Sequence, residues 1–158
     1  MSNDLKFKIS HKITEDNSSN FTIKPLDRGY GITIGNSLRR ALLTAVPGAA
    51  ITNVKIEGAH HEFSTIDGVT EDIADVIMNL KGVRFHLFES SVEPIFLKVK
   101  GPKAFTAADI QAASDNFTIL NPNHHITDIA KGTTLEVELR LGIGKGYKSS
   151  DENKLNNS

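Results

Sequence analysis

Cysteine is absent from all 158 residues. That excludes disulfide scaffolds and thiolate metal sites, and it fits a reducing compartment. No apolar run reaches the length of a membrane-spanning helix, and the first residues are polar and mixed in charge, unlike a signal peptide. A soluble cytoplasmic protein is the expectation. Neither sign of charge dominates either. With 18 Lys and Arg against 19 Asp and Glu the net charge is −1, so no global field draws the chain to nucleic acid or anionic lipid. The length suits one ordinary domain or two small ones, and it is enough to bury a core.

Recognisable catalytic chemistry is also missing. The pairs His60-His61 and His124-His125 invite a metal reading, but adjacent residues on a strand point to opposite sides, and no HExxH spacing accompanies them. GIGKGY at 142–147 lacks the GxxxxGK[ST] pattern and a following helix, so it reads as a flexible crossover and not as a phosphate loop. Ser64 has no nucleophile-elbow motif and no nominated base. Asp67, Glu71 and Asp72 cluster at a helix start, where carboxylates serve as caps and dipole partners. Arg39-Arg40 lacks the basic and aromatic neighbours of a nucleic-acid patch. The expectation is a chain with no catalytic residue, no cofactor and no metal.

What is present is a strand-rich pattern with two helices. Leu5, Phe7, Ile9 and Ile13 alternate with polar residues, Phe21 to Leu26 alternates again, and EDNSSN between them predicts a hairpin connection. Next comes PLDRGYGITIGNSLRRALLTAVPG (25–48), a strand-like segment running through Gly29, Gly31 and Gly35 into a short helix stopped by Pro-Gly. The glycines imply backbone conformations or close approaches that a Cβ would forbid.

On a wheel of about 100° per residue, Leu38, Ala41, Leu42, Ala45 and Val46 form one apolar stripe. Asn36, Arg40 and Leu43 line the opposite side. Periodicity alone leaves an ordinary polar back as an alternative to a second interface, although Arg is enriched where proteins meet.

Ile51 to Glu57 predicts a strand whose phase slips once at Asn53 and Val54. A second helix follows, with Thr70 as N-cap, a stripe of Ile73, Val76, Ile77 and Leu80, and Lys81-Gly82 at its end. Period two returns at Val83/Phe85/Leu87, Ile95/Leu97/Val99 and Leu135/Val137/Leu139/Leu141, and Thr106 starts a helical turn in FTAADI. The last ten or so residues are polar and charged, which predicts disorder unless a partner holds them.

The segment 25–48 closely resembles the signature of the N-terminal part of the bacterial RNA polymerase alpha subunit. The likeness continues through IEGAHHEFSTIDGVTEDIADVIMNLKGVRF (56–85) and more loosely through FTAADI, LNPNHHI (120–126) and KGY (145–147). It covers roughly residues 20 to 148.

The resemblance implies an α+β fold in which a strand-rich dimerisation domain is interrupted by an inserted mixed α/β domain. Residues 1–50 and 143–158 would belong to the first domain, incomplete here, and 51–142 to the insert. It implies large-subunit contacts at Asn36, Arg40, Leu43, His61, Glu62, Phe63, Ser64, Thr65 and Lys81. It places Leu38, Ala41, Leu42 and Ala45 in a dimer interface.

The implied role is a non-catalytic scaffold of DNA-directed RNA polymerase, partnered by the beta and beta-prime subunits and a second alpha subunit, with no direct DNA binding and no membrane. Alpha subunits continue well over a hundred residues further. A fragment of a longer alpha and a short paralogue both remain open, and truncation weakens the expected dimer. The competing expectations are an alpha-like decoy or regulator of the polymerase and a stand-alone ligand-binding or enzymatic domain.

Overall fold

A computed structural model describes residues 7–15, 18–88 and 93–155. The chain divides into two compact units, Met1–Ala45 and Val46–Ser158. The described elements make a strand-rich α+β protein.

In the first unit β1 (Lys8–Glu15) and β2 (Ser18–Lys24) form the expected antiparallel hairpin, with Ile9 opposite Ile23 and His11 opposite Phe21. Leu5 and the turn residues Asp16 and Asn17 lie outside the described residues. The strand-like reading of 29–35 is corrected: helix α1 spans Tyr30–Ala45 and begins six residues before Asn36. Gly29 sits at φ +92°, a left-handed conformation that favours glycine, and the Tyr30 N–H donates to the Asp27 carbonyl at 3.1 Å to close the turn into the helix. Gly31 and Gly35 are helical, and a Cβ on either would meet nothing within 4 Å in this chain.

The second unit is built on a five-stranded antiparallel sheet whose strands lie side by side in the order β5 (Ile95–Lys100), β9 (Thr134–Lys145), β3 (Pro47–Ile56), β4 (Phe85–Leu87) and β7 (Phe117–Ile119). Its spine is β3 (Pro47–Ile56), which pairs along its length with β9 (Thr134–Lys145). Thr52 is the extra residue of a bulge, since Ile51 faces Leu141 and Asn53 faces Arg140. That bulge accounts for the phase slip read in the sequence.

Helix α2 (Ile73–Lys81) follows, and its N-cap is Asp72, not Thr70: the Asp72 carboxylate accepts the Asp75 N–H at 2.8 Å. Ile73, Val76 and Leu80 are buried and Ile77 is half-buried, so the expected stripe is the core face. The short strand β4 (Phe85–Leu87) leads to the edge strand β5 (Ile95–Lys100), in which Ile95, Leu97 and Val99 are buried in strict alternation. Then come β6 (Lys103–Thr106), α3 (Ala107–Gln111), β7 (Phe117–Ile119) and β8 (His125–Ile129), with β6 and β8 forming a separate ribbon. Thr106 is the N-cap of α3 as expected, and its N–H donates to Asp109 Oδ2 at 3.0 Å.

The supposed crossover GIGKGY is corrected too, because Gly142–Lys145 continue β9 and pair with Pro47–Ala50. Within the tail expected to be disordered without a partner, Ser150–Leu155 form helix α4, and residues 156–158 lie outside the described residues. Its entry is a capping box: the Ser149 N–H donates to Glu152 Oε2 at 3.0 Å and the Glu152 N–H donates to Ser149 Oγ at 3.4 Å.

The core of this unit gathers α2, α3 and both sheets around Phe105, Phe117, Leu80, Ile110, Ile126, Leu135 and Leu139, all nearly inaccessible to solvent. Side-chain amides lock the far end of α2 in place. Asn121 accepts the Arg84 N–H at 2.8 Å and donates to the Gly82 carbonyl at 3.0 Å, while Asn79 donates to the Ile126 carbonyl at 2.9 Å. His124 donates through Nε2 to the Asn79 carbonyl at 2.8 Å. A Cβ on Gly82 would lie 2.6 Å from that imidazole, so glycine lets LNPNHHI close over the helix end.

Candidate functional site

Helix α1 carries most of the positions read as contact residues, and none of its residues is buried. Leu42 and Leu43, about 100° apart on the wheel and belonging to the two different stripes, are 67% and 64% exposed, and Leu38 is 48% exposed. Asn36, Arg40, Ala41 and Ala45 are exposed as well. Two faces of this helix therefore stay exposed among the described residues of its unit. Ser37 and Thr44 turn their hydroxyls back to the carbonyls of Thr33 and Arg40, at 2.9 and 2.7 Å, and so leave both faces to larger side chains.

The earlier helix start lengthens both faces. Ile32, 76% exposed, precedes Asn36, Arg40 and Leu43 at i, i+4, i+8 and i+11 and so joins their side. Tyr30 and Ile34 extend the opposite stripe toward Leu38 and Ala41 in the same way. Sequence reading missed these three because ITI between glycines looked like strand; the spacing from Ile32 to Asn36 and Leu43 was the available signal.

The hairpin of the same unit is similarly exposed, since Ile9, Ile13 and Phe21 on one face are all exposed, with Phe21 stacked on His11. Among the described residues of this unit none is buried. A lone hairpin and a lone 16-residue helix are each marginal in water, so this unit depends on cover for its stability.

In the second unit His61–Thr65 form a compact turn beside α2. The His61 carbonyl accepts from Ser64 N at 3.1 Å and from Ser64 Oγ at 2.6 Å, and the Phe63 N–H donates to His61 Nδ1 at 3.2 Å. The Ser64 carbonyl in turn accepts the Ile73 N–H at 3.1 Å and ties the turn to the start of the helix. This bracing presents Phe63 to solvent at 78% exposure with His61, Glu62 and Thr65 exposed around it. Lys81 is exposed at the other end of α2, about 12 Å along the axis. The turn and Lys81 therefore flank one helix without touching through it.

The residue that sequence reading took for a dipole partner has a different job. Glu71 Oε2 accepts the Thr127 hydroxyl at 2.5 Å and the Asp128 N–H at 3.2 Å. Partial burial pushes the Glu71 carboxyl up, but these bonds, a bond to its own backbone N–H and nearby His125 outweigh that and hold it below the usual glutamate value. His125 lies between two carboxylates, with Nδ1 3.9 Å from Glu71 Oε1 and Nε2 3.4 Å from Asp128 Oδ2.

The chain belongs to the RNA polymerase Rpb3/RpoA insert domain family, whose model matches residues 54–158. Among similar curated proteins are subunits named DNA-directed RNA polymerase subunit alpha. That of Salinibacter ruber is 51% identical over 139 residues, covering 88% of this chain and 42% of that subunit. That of Chloroherpeton thalassium is 48% identical, covering 85% and 41%, and that of Limosilactobacillus reuteri is 49% identical, covering 91% and 46%. The chain spans less than half the length of the curated relatives it matches. No helix among the described residues is long and apolar enough to cross a membrane.

Proposed function

We propose that the chain is an alpha-type, non-catalytic scaffold of DNA-directed RNA polymerase, which dimerises and docks the large beta and beta-prime subunits. The observation that carries the reading is α1, which leaves apolar residues exposed on two faces in a unit with no buried residue among those described. One face, Asn36, Arg40 and Leu43 with Ile32 added, meets a large subunit. The other, Leu38, Ala41, Leu42 and Ala45, meets a second copy. The braced turn His61, Glu62, Phe63, Ser64 and Thr65 and the α2 terminus at Lys81 supply further large-subunit contacts. Nucleotidyl transfer belongs to the large subunits, and the cytoplasm is the site of action.

The domain arrangement follows the same reading, with 1–50 and 143–158 in the dimerisation domain and 51–142 inserted into it. In this reading the two crossings fall at one level of the β3–β9 ladder, where Ala50 faces Gly142, although the ladder continues through that level and Val46–Ser158 form one compact unit.

Arg40→Ala tests the assignment of faces. No hydrogen bond or ion pair ties the Arg40 side chain to the described residues, and alanine is the better helix former, so the melting temperature should stay within about 1 °C. Binding to the isolated beta subunit should weaken by about 30-fold, the loss of a hot spot of roughly 2 kcal/mol. A variant that melts early yet binds beta normally would overturn the assignment.

A further inference from the structure

Glu71 is more than fifty residues from His125 and Asp128 in the sequence, yet the three meet at one surface of the second unit. A bulge brings them together. Phe105 faces Thr127 and Thr106 faces His125, so Ile126 is an extra residue in β8. Ile126 and Thr127 are consecutive and both fully buried, which breaks the alternation and returns His125 and Asp128 to the same, solvent-facing side. Glu71 reaches them from the segment before α2, which is itself anchored by the Thr70 N–H donating to the Asp128 carbonyl at 3.0 Å.

We infer that these three side chains form an open site for a borderline first-row divalent cation, with Zn²⁺ the best match. One imidazole nitrogen and two carboxylate oxygens lie within 4.8 Å of one another. Tetrahedral zinc with ligands at about 2.1 Å places donor atoms about 3.4 Å apart, a separation that small rotations of the exposed His125 and Asp128 side chains reach. The mixed nitrogen and oxygen set favours zinc over the all-oxygen cages of calcium or magnesium. Two carboxylates supply the negative charge that a divalent ion requires.

Glu71 is already oriented as a ligand. Its Oε2 is held by the buried Thr127 hydroxyl and the Asp128 N–H, leaving Oε1 turned toward His125. Such outer-shell bonds fix a ligating carboxylate in known metal sites. Water completes the coordination. The bound ion ties the α2 entry segment to β8 and stabilises the second unit.

The test is calorimetric titration of the full chain with ZnCl₂ alone near pH 7.5, paired with thermal melting. One equivalent should bind and raise the melting temperature. His125→Gln and Asp128→Asn, both at exposed positions, should fold as the wild type does and lose the zinc-dependent rise. Thr127→Val should keep one-to-one binding but weaken it roughly 10- to 100-fold. No stoichiometric binding to the wild type would overturn the inference. Wild-type affinity retained in both His125→Gln and Asp128→Asn would do so as well, by placing the ion at other histidines.

Discussion

Asn121→Ala removes the side chain that closes the end of α2 onto the sheet. Two hydrogen bonds go with it, the one accepted from the Arg84 N–H at 2.8 Å and the one donated to the Gly82 carbonyl at 3.0 Å. Each such bond contributes about 1 kcal/mol net. Arg84 is exposed, so water replaces part of the first bond, and the expected loss is about 1–2 kcal/mol. For a unit of this size that lowers the melting temperature by roughly 4–8 °C. Thermal unfolding followed by circular dichroism measures it, with Lys131→Ala, at an exposed turn residue, as the control. If Asn121→Ala melts within 1 °C of that control, the amide is a bystander, and the Asn79 and His124 bonds with the packing of Leu80 and Val83 hold the helix end.

Ile73→Asp should be a folding mutation. Ile73 is 4% exposed on the core face of α2, and an unpaired carboxylate there costs several kcal/mol, so the variant should be insoluble or melt far lower; a soluble variant with an unchanged melting temperature refutes the assignment of that face. Dimerisation through the Leu38, Ala41, Leu42 and Ala45 face should depend on concentration, because one helix face offers well under the roughly 800 Å² per partner of a stable interface. Sedimentation across a hundredfold dilution should show dissociation, and a dimer intact at nanomolar concentration contradicts it.

Much of the second unit could be read residue by residue. Strict alternation in Ile95, Leu97 and Val99 and in Leu135 to Leu141 corresponds to buried strand faces, and the slip at Asn53 is a real bulge. These readings succeed because burial on one face of a sheet imposes period two directly on the chain. The start of α1 was hidden for the opposite reason. Gly31, Ile32, Thr33, Ile34 and Gly35 are weak helix formers, and the turn closed at Gly29 overrides their propensity. The cap of α2 was misassigned between Thr70 and Asp72 because either side chain can accept an N–H, and only the backbone path decides. Helix α4 was overlooked because its capping box lies among residues whose polarity reads as disorder. Of the candidate site, the exposed positions of α1 were legible as a two-faced wheel. The meeting of Glu71, His125 and Asp128 was not, since it depends on a bulge that shows only once β6 and β8 are paired.

The pairing of Ala50 with Gly142 has a consequence for how freely the intervening chain can change. Residues that face each other in an antiparallel ladder keep their Cα atoms about 5 Å apart whatever path joins them. The spacing between Pro47–Ala50 and Gly142–Lys145 is thus set by local backbone bonds and not by the length of the excursion from Ile51 to Leu141. Closing a long excursion costs little more than closing one of half its length, because the entropy of closure grows only with the logarithm of length. Whole elements beyond that level can be lengthened, trimmed or exchanged over evolutionary time while the two strand ends stay in register.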